Sequence, residues 1–417
     1  MGKAPPLRDD CFAMPRGVDW IPVQDALEKL RSNLHPVVGV ETIPIQEALG
    51  RILAEDVVAH QSHPPFSNAA VDGYGFAFDD LPAGEEITLP MEVGQAAAGH
   101  AFGGSVRSGH ALRILTGAKV PQGVDTIVLQ EDVNVEDGYI HFRSGLKKGA
   151  NTREEGEDIK VGAVILTTGT KLRADRLGVL ASAGITEAQV YQRLRVAVLS
   201  TGDELEADKA EATIPDANRP MLLGLLRQMG YEPVDIGIIP DDVAAVRDAL
   251  TQAANTTDVI LTTGGASSGD EDHISKLLNR EGNMQSWRVA IKPGRPIALA
   301  LWNGVPVFGL PGNPVAAFVC TLVFASPAMG VLSGSAWKDL KGYMLPAAFA
   351  KNKKEGREEY LRARLDNEGA VEVFASEGSG RISGLSWADG LVRLQHGAAT
   401  IKTGDLVEYI PFSKWLE

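Results

Sequence analysis

The chain has 417 residues and a formal net charge of −14, from 40 Lys and Arg against 54 Asp and Glu. That length predicts roughly two to four domains rather than one core, and the acidic balance disfavours non-specific binding to nucleic acid or to an anionic membrane, while leaving room for a local basic patch that holds a small anion. The only cysteines, Cys11 and Cys320, form no CxxC pair or disulfide framework, and the segment MGKAPPLRDDCFAMPRG has no apolar core for export, so a cytoplasmic protein is expected.

In chain order, VQDALEKLRSNL carries helical spacing and TIPIQEALGRILAEDVVA follows it. Residues 20–60 therefore read as helix then strand and, with 151–190, as one discontinuous mixed α/β linker domain; RADRLGVLASAG is its second helix, ended by Gly184. Between them, residues 61–150 hold the short β-like runs EITLPMEVG, ALRILTG, DTIVLQEDV and YIHFRS, separated by Gly and Pro turns, which predicts a small β domain. Residues 191–335 alternate apolar strands (RVAVLS, PVDIGII, DVILTTGG, WRVAIKPG, PIALALW, VPVFGLPG) with helices (NRPMLLGLLRQMG, DDVAAVRDALTQAANT, EDHISKLLNR). That pattern predicts a mostly parallel sheet covered on both faces. No charged residue falls from Pro296 up to Trp337, and VAAFVCTLVFASPAMGVLS is long enough to span a membrane. Its Ala and Ser content, Pro327 and the preceding strands favour a buried helix instead. Residues 336–417 return to short strands (EEYLRARLD, AVEVFA, GLVRLQ, DLVEYIPF) and predict a C-terminal, barrel-like β domain.

In a parallel α/β domain, ligands bind at the carboxyl ends of the strands. The residues that follow the predicted strands are Thr201-Gly202-Asp203-Glu204, Pro240-Asp241-Asp242, TTGGASSGDEDH (262–273), Lys292-Pro293-Gly294-Arg295 and Pro311-Gly312-Asn313-Pro314. Each has an ordinary structural reading: Asp241 or Asp242 as a helix cap, the prolines as a bend, Gly264-Gly265 as a strand end. Their collection on one predicted sheet edge is what points to a ligand. Gly264 and Gly265 let backbone N–H groups approach an anion, and Ser267 and Ser268 add hydroxyl donors. The acids Asp270, Glu271 and Asp272 suit Mg²⁺, which bridges carboxylate and phosphate oxygens. Arg288, Lys292 and Arg295 lie within eight residues of an acidic chain and suit an anion. Neither GxxxxGK[ST] nor GxGxxG occurs, and without HExxH or a visible triad, zinc chemistry and nucleophilic hydrolysis are disfavoured.

The ordered motifs PPFSNAAVDGYGF, RILTGAKVPQGVDTIVLQED, REEGEDIKVGAVIL, VAVLSTGDEL, IGIIPDD, TTGGASSGDED, AIKPGRP and GLPGNPV resemble the MoeA family of molybdopterin molybdenumtransferases, similar to the E domain of gephyrin, from about residue 20 to the carboxyl end. The resemblance implies four domains, with a central MogA-like α/β domain, in an elongated homodimer whose site is shared between subunits. It implies insertion of molybdenum from molybdate into adenylylated molybdopterin, with Mg²⁺ assistance and release of AMP, and it implies MogA-like and molybdoenzyme partners. It implies catalytic roles for Asp72, Thr116, Asp158, Glu204, Asp241, Asp272, Arg288 and Lys292, with metal held by Asp241, Asp272 and Glu204. Pro311, Gly312, Asn313 and Pro314 join Gly264, Gly265, Ser267, Ser268 and Gly269 as binding residues. The chain departs from the family pattern at AAVDGYG, at Ala316 and Ala317 after PGNP, and at Arg288, where the family can carry Lys. Two other readings stay open on the residues alone: an adenylyltransferase acting on molybdopterin, which needs only the α/β domain, and a non-enzymatic scaffold.

Overall fold

The computed structural model describes residues 20–205, 213–264, 273–287, 289–294, 297–378 and 380–416, the side chains of 283–287 excepted. The chain divides into two compact units: Thr42–Val190, and Tyr191–Glu417 together with the segment up to Glu41.

The first unit is built on a six-stranded sheet in the order Thr126–Leu129, Gly73–Phe76, Ala111–Ile114, Glu86–Ala96, Tyr139–Arg143, Asn134–Glu136. Alternating burial along these strands puts Ala96, Leu112, Ile114 and Ile127 in one apolar cluster and Phe76, Ile87, Val128 and Ile140 in another. The predicted runs of this region all become strands of this sheet. The helix Ala174–Ser182 is closed by Gly184 at φ 78°, as expected; its Leu180 packs with Leu53, Leu172 and Val190 in a separate core.

The second unit carries the α/β sheet. Its elements are β1 (Arg195–Thr201), α1 (Asn218–Met229), β2 (Glu232–Ile239), α2 (Val243–Thr256), β3 (Val259–Thr263), α3 (His273–Arg280), β4 (Asn283–Trp287), β5 (Ile297–Trp302), β6 (Val305–Leu310) and α4 (Pro314–Cys320). The six strands lie in the order β2-β1-β3-β6-β5-β4. β1, β2, β3 and β6 are parallel; β5 runs against both of its neighbours. The sheet is thus mostly parallel, with Val196, Leu199, Ile260, Leu261 and Phe308 buried and both faces covered.

The apolar stretch after Pro314 folds as α4, one π turn (Thr321–Ala325) and a helix Ser326–Leu332. Val319, Phe324 and Met329 pack in the same cluster as Val198, Leu261 and Phe308, so it is a core helix. Pro327 cannot donate to the helical ladder, and the wider turn directly precedes it. The helix Val23–Asn33, read in sequence with residues 20–60, buries Val23, Ala26 and Leu30 against this cluster as well.

The C-terminal strands form a sheet in the order Ile291–Lys292, Glu358–Leu365, Gly390–Leu394, Leu406–Pro411, Tyr343–Pro346. The strand expected over WRVAIKPG does not form as one element. WRVAIKPG is not a single strand of the α/β sheet. β4 ends at Trp287, and Ile291–Lys292 pairs in parallel with Glu358–Glu359 of the C-terminal sheet. The apolar run is shared between two sheets, and a run of β-branched residues alone does not say which neighbour it meets.

Candidate functional site

The carboxyl ends of β1, β2, β3 and β6 lie at one edge of the sheet. Thr201 is level with Ile239, so Gly202-Asp203-Glu204 and Pro240-Asp241 emerge side by side. The Asp241 N–H donates to Asp203 Oδ1 at 3.0 Å and ties the two loops together. Asp242 caps α2, its Oδ1 accepting from the Ala245 N–H at 2.9 Å. The helix-cap reading therefore holds for Asp242 and not for Asp241. Glu204 folds over Gly202: a Cβ there would lie 2.4 Å from Glu204 Oε2. Among the described residues, no ion pair takes up the Asp241 or Glu204 carboxylate.

The turn after β3 needs glycine for two reasons. Gly264 has φ +84°, and a Cβ on it would sit 2.3 Å from the Thr201 carbonyl oxygen. The turn after β6 lies directly against it, the Cβ position of Gly312 being 3.6 Å from Gly264 Cα. Below both, the Asn218 side chain donates to Thr263 Oγ1 at 3.0 Å and to the Gly312 carbonyl at 2.7 Å. Asn313 accepts from the Val315 and Ala316 N–H groups at 3.1 and 3.5 Å and caps α4, so its side chain serves the helix. Pro311 and Pro314 flank this turn, Pro314 as the first residue of α4. Gly265, Ser267, Ser268, Gly269, Asp272 and Arg288 lie outside the described residues.

Lys292 was expected at this edge by way of an α/β strand. It belongs instead to the C-terminal sheet, where its Nζ lies 2.7 Å from Glu377 Oε2 and 3.5 Å from Glu359 Oε1. Lys351 pairs with the same two acids, at 3.1 Å to Glu359 Oε2. The following turn still comes back to the turn after β6 and to α4: a Cβ on Gly294 would lie 2.5 Å from Cys320 Sγ and 3.9 Å from Pro311 Cγ.

The Thr42–Val190 unit places the remaining candidates. Asp72 Oδ1 accepts from both the backbone N–H and the hydroxyl of Thr116, each at 2.7 Å. The Thr116 N–H, then its hydroxyl, and more weakly the Arg113 charge hold the Asp72 carboxyl below its ordinary value. Arg113 stacks on Tyr74, 5.0 Å from the ring centroid. Gly73 is the fixed point of this turn, since a Cβ would fall 1.9 Å from the Val128 carbonyl oxygen. The loop with Asp158 lies alongside the same segment: Thr152 and Arg153 pair with Ala69 and Asn68, and the Asp158 N–H donates to the His63 carbonyl at 3.1 Å. The Asp158 side chain is exposed.

Reading the sequence missed Asn218, Thr263 and Asp216. Asp216 starts α1 by accepting from the Asn218 and Arg219 N–H groups at 3.0 and 3.1 Å. The signal was present in Asp216-Ala217-Asn218-Arg219-Pro220, a helix-start pattern. Nothing in one sequence says that Asn218 also reaches two strand-end loops. Thr201, Thr262 and Asn218 are buried, and Thr201 Oγ1, Thr262 Oγ1 and Asn218 Oδ1 have no hydrogen-bond partner among the described residues.

The described residues hold no cluster of three or more His, Cys, Asp or Glu that could bind a metal. The described acids of the expected metal set, Glu204 and Asp241, offer carboxylate oxygens alone on adjacent loops. That suits Mg²⁺, which takes one or two protein carboxylates and completes its shell with water and phosphate oxygens.

Family comparisons cover most of the chain. Residues 21–184 match the MoeA N-terminal region (domain I and II), 197–330 a domain described as "Probable molybdopterin binding domain", and 345–412 the MoeA C-terminal region (domain IV). A molybdopterin molybdenumtransferase of Haemophilus influenzae is 34% identical over 403 residues, covering 94% of this chain and 99% of its own. One from a Nostoc species is 30% identical, covering 87% of each chain. The crystal structure of a molybdopterin biosynthesis MoeA protein from Pyrococcus horikoshii superposes with a TM-score of 0.83 at 29% identity, covering 94% of this chain and 100% of that one. The chain belongs to the MoeA family, the molybdopterin molybdenumtransferases of molybdenum cofactor biosynthesis.

Proposed function

We propose that this chain transfers molybdenum from molybdate to adenylylated molybdopterin, releasing AMP and forming molybdenum cofactor. The observation that carries this reading is the meeting of the Gly202, Asp241, Gly264 and Gly312 turns at one carboxyl sheet edge. Backbone N–H groups around Gly264, with Gly265, Ser267, Ser268 and Gly269, would hold the pyrophosphate. Arg288 and Lys292 would compensate its charge and that of molybdate. For Lys292 this means exchanging part of its pairing with Glu377 for the substrate. Pro311, Gly312, Asn313 and Pro314 would wall the other side. Glu204, Asp241 and Asp272 would hold Mg²⁺, which when bound lowers the charge on the phosphates. Asp241, free of any capping duty, would orient the water that opens the pyrophosphate and take its proton.

The reading includes a homodimer in which Asp72, held by Thr116 and accompanied by Asp158, serves the α/β edge of a second subunit. It also includes the four-part division of the chain (20–60 with 151–190, 61–150, 191–335 and 336–417), cytoplasmic location, and contacts with MogA-like and molybdoenzyme partners. The reaction is tested with purified protein, adenylylated molybdopterin, Mg²⁺ and molybdate. AMP release that depends on molybdate supports the reading; ATP consumption with molybdopterin in the absence of molybdate would instead indicate an adenylyltransferase.

A further inference from the structure

We propose that Asn218 is a positioning residue, a side-chain bolt that sets the separation of the Gly264 and Gly312 turns. Its two amide hydrogens go to the last residue of β3 and to the turn after β6, Thr263 Oγ1 at 3.0 Å and the Gly312 carbonyl at 2.7 Å. The Gly312 carbonyl can only accept, so this orientation of the amide is fixed by its partner. Thr263 Oγ1 also lies 3.5 Å from Ser200 Oγ, which extends the link to β1. The residue is itself held from behind: its own N–H donates to Asp216 Oδ1 at 3.0 Å. Asn218 is 5% exposed, and its Oδ1 is buried without a partner among the described residues. An amide that buries an unpaired acceptor is a poor choice for stability alone. What it supplies is the one geometry that reaches both loops. Asp at this position would turn an acceptor toward the Gly312 carbonyl, and Leu would fill the same space and donate nothing.

The consequence for activity rests on the proposed function, because it assumes that these two turns carry the substrate; the clamp itself does not. The test uses full-length protein and the variants Asn218→Ala, Asn218→Asp and Thr263→Val. Amide hydrogen exchange is followed at the turns around Gly264 and Gly312, alongside thermal unfolding and the kinetics of AMP release from adenylylated molybdopterin. Asn218→Ala and Asn218→Asp are expected to speed exchange at both turns by about tenfold, with the centre of the sheet unchanged. KM is expected to rise about tenfold while kcat stays within about threefold. Asn218→Ala placed on Thr263→Val should add less than it does alone, because the bond to Thr263 is already lost and only the bond to the Gly312 carbonyl remains to be removed. Unchanged exchange at the turns overturns the proposal, as does uniformly faster exchange across the sheet with early unfolding, or faster local exchange with KM unaltered. If the wild-type chain releases no AMP, the functional reading fails, and exchange alone then decides whether the clamp exists.

Discussion

Gly264→Ala separates a strained backbone from a closed approach, because the protein contains a control for each. At Gly264, φ is +84° and the new Cβ would lie 2.3 Å from the Thr201 carbonyl oxygen and 3.3 Å from its carbon. At Gly230, which ends α1, φ is +90° and a Cβ meets nothing within 4 Å. Both substitutions incur about 1–2 kcal/mol for an L-residue at positive φ. Only the first also forces two backbone segments apart. A carbonyl contact of 2.3 Å must open by roughly 1 Å to reach an ordinary van der Waals distance. A displacement of that size in a positioning loop is worth about 10²-fold in rate. Gly230→Ala should therefore lower the unfolding temperature by a few degrees and leave molybdate-dependent AMP release within about twofold. Gly264→Ala should show a comparable or somewhat larger loss of stability and lose about 10²-fold in kcat/KM. Equal activities in the two variants would refute the claim that the Gly264 turn carries the substrate.

The neighbouring acids should part company. Asp242→Ala removes a helix cap and should cost about 1 kcal/mol of stability with activity retained; Asp241→Asn should leave stability within about 0.5 kcal/mol and lower kcat by at least about 10²-fold, both measured by chemical denaturation and AMP release. Asp72 is held below its ordinary carboxyl value by Thr116 in the folded chain. Its contribution to stability is therefore present above the unfolded carboxylate range and is lost as pH falls through the lowered folded value. Asp72→Asn should be less stable than wild type near neutrality, and the gap should close in acid; a gap independent of pH would contradict the Thr116 assignment. Burial pushes the Cys320 thiol up to about 12, and the side chain is 1% exposed. In a Cys11→Ser background, Cys320 should react with thiol reagents only at the rate of unfolding.

The α/β domain was legible because alternating apolar strands and helices have few other solutions, and because a glycine or an acid follows each parallel strand within two residues. The β domain was legible through its turn residues. What misled was WRVAIKPG: its apolar alternation predicts a strand, but the partner is chosen by tertiary packing, and Ile291–Lys292 went to Glu358–Glu359 rather than into the α/β sheet. Asp241 and Asp242 were indistinguishable in sequence, since either can cap a helix; only the phase of α2 decided it. Asn218 escaped because its two partners, Thr263 and Gly312, are 45 and 94 residues away.

The most direct measurement is a single turnover with excess enzyme, following AMP released and molybdenum incorporated in the same reaction. Equimolar AMP and molybdenum cofactor are expected, with both vanishing when molybdate is omitted. AMP released at the same rate without molybdate, or molybdenum incorporated without AMP, would contradict it.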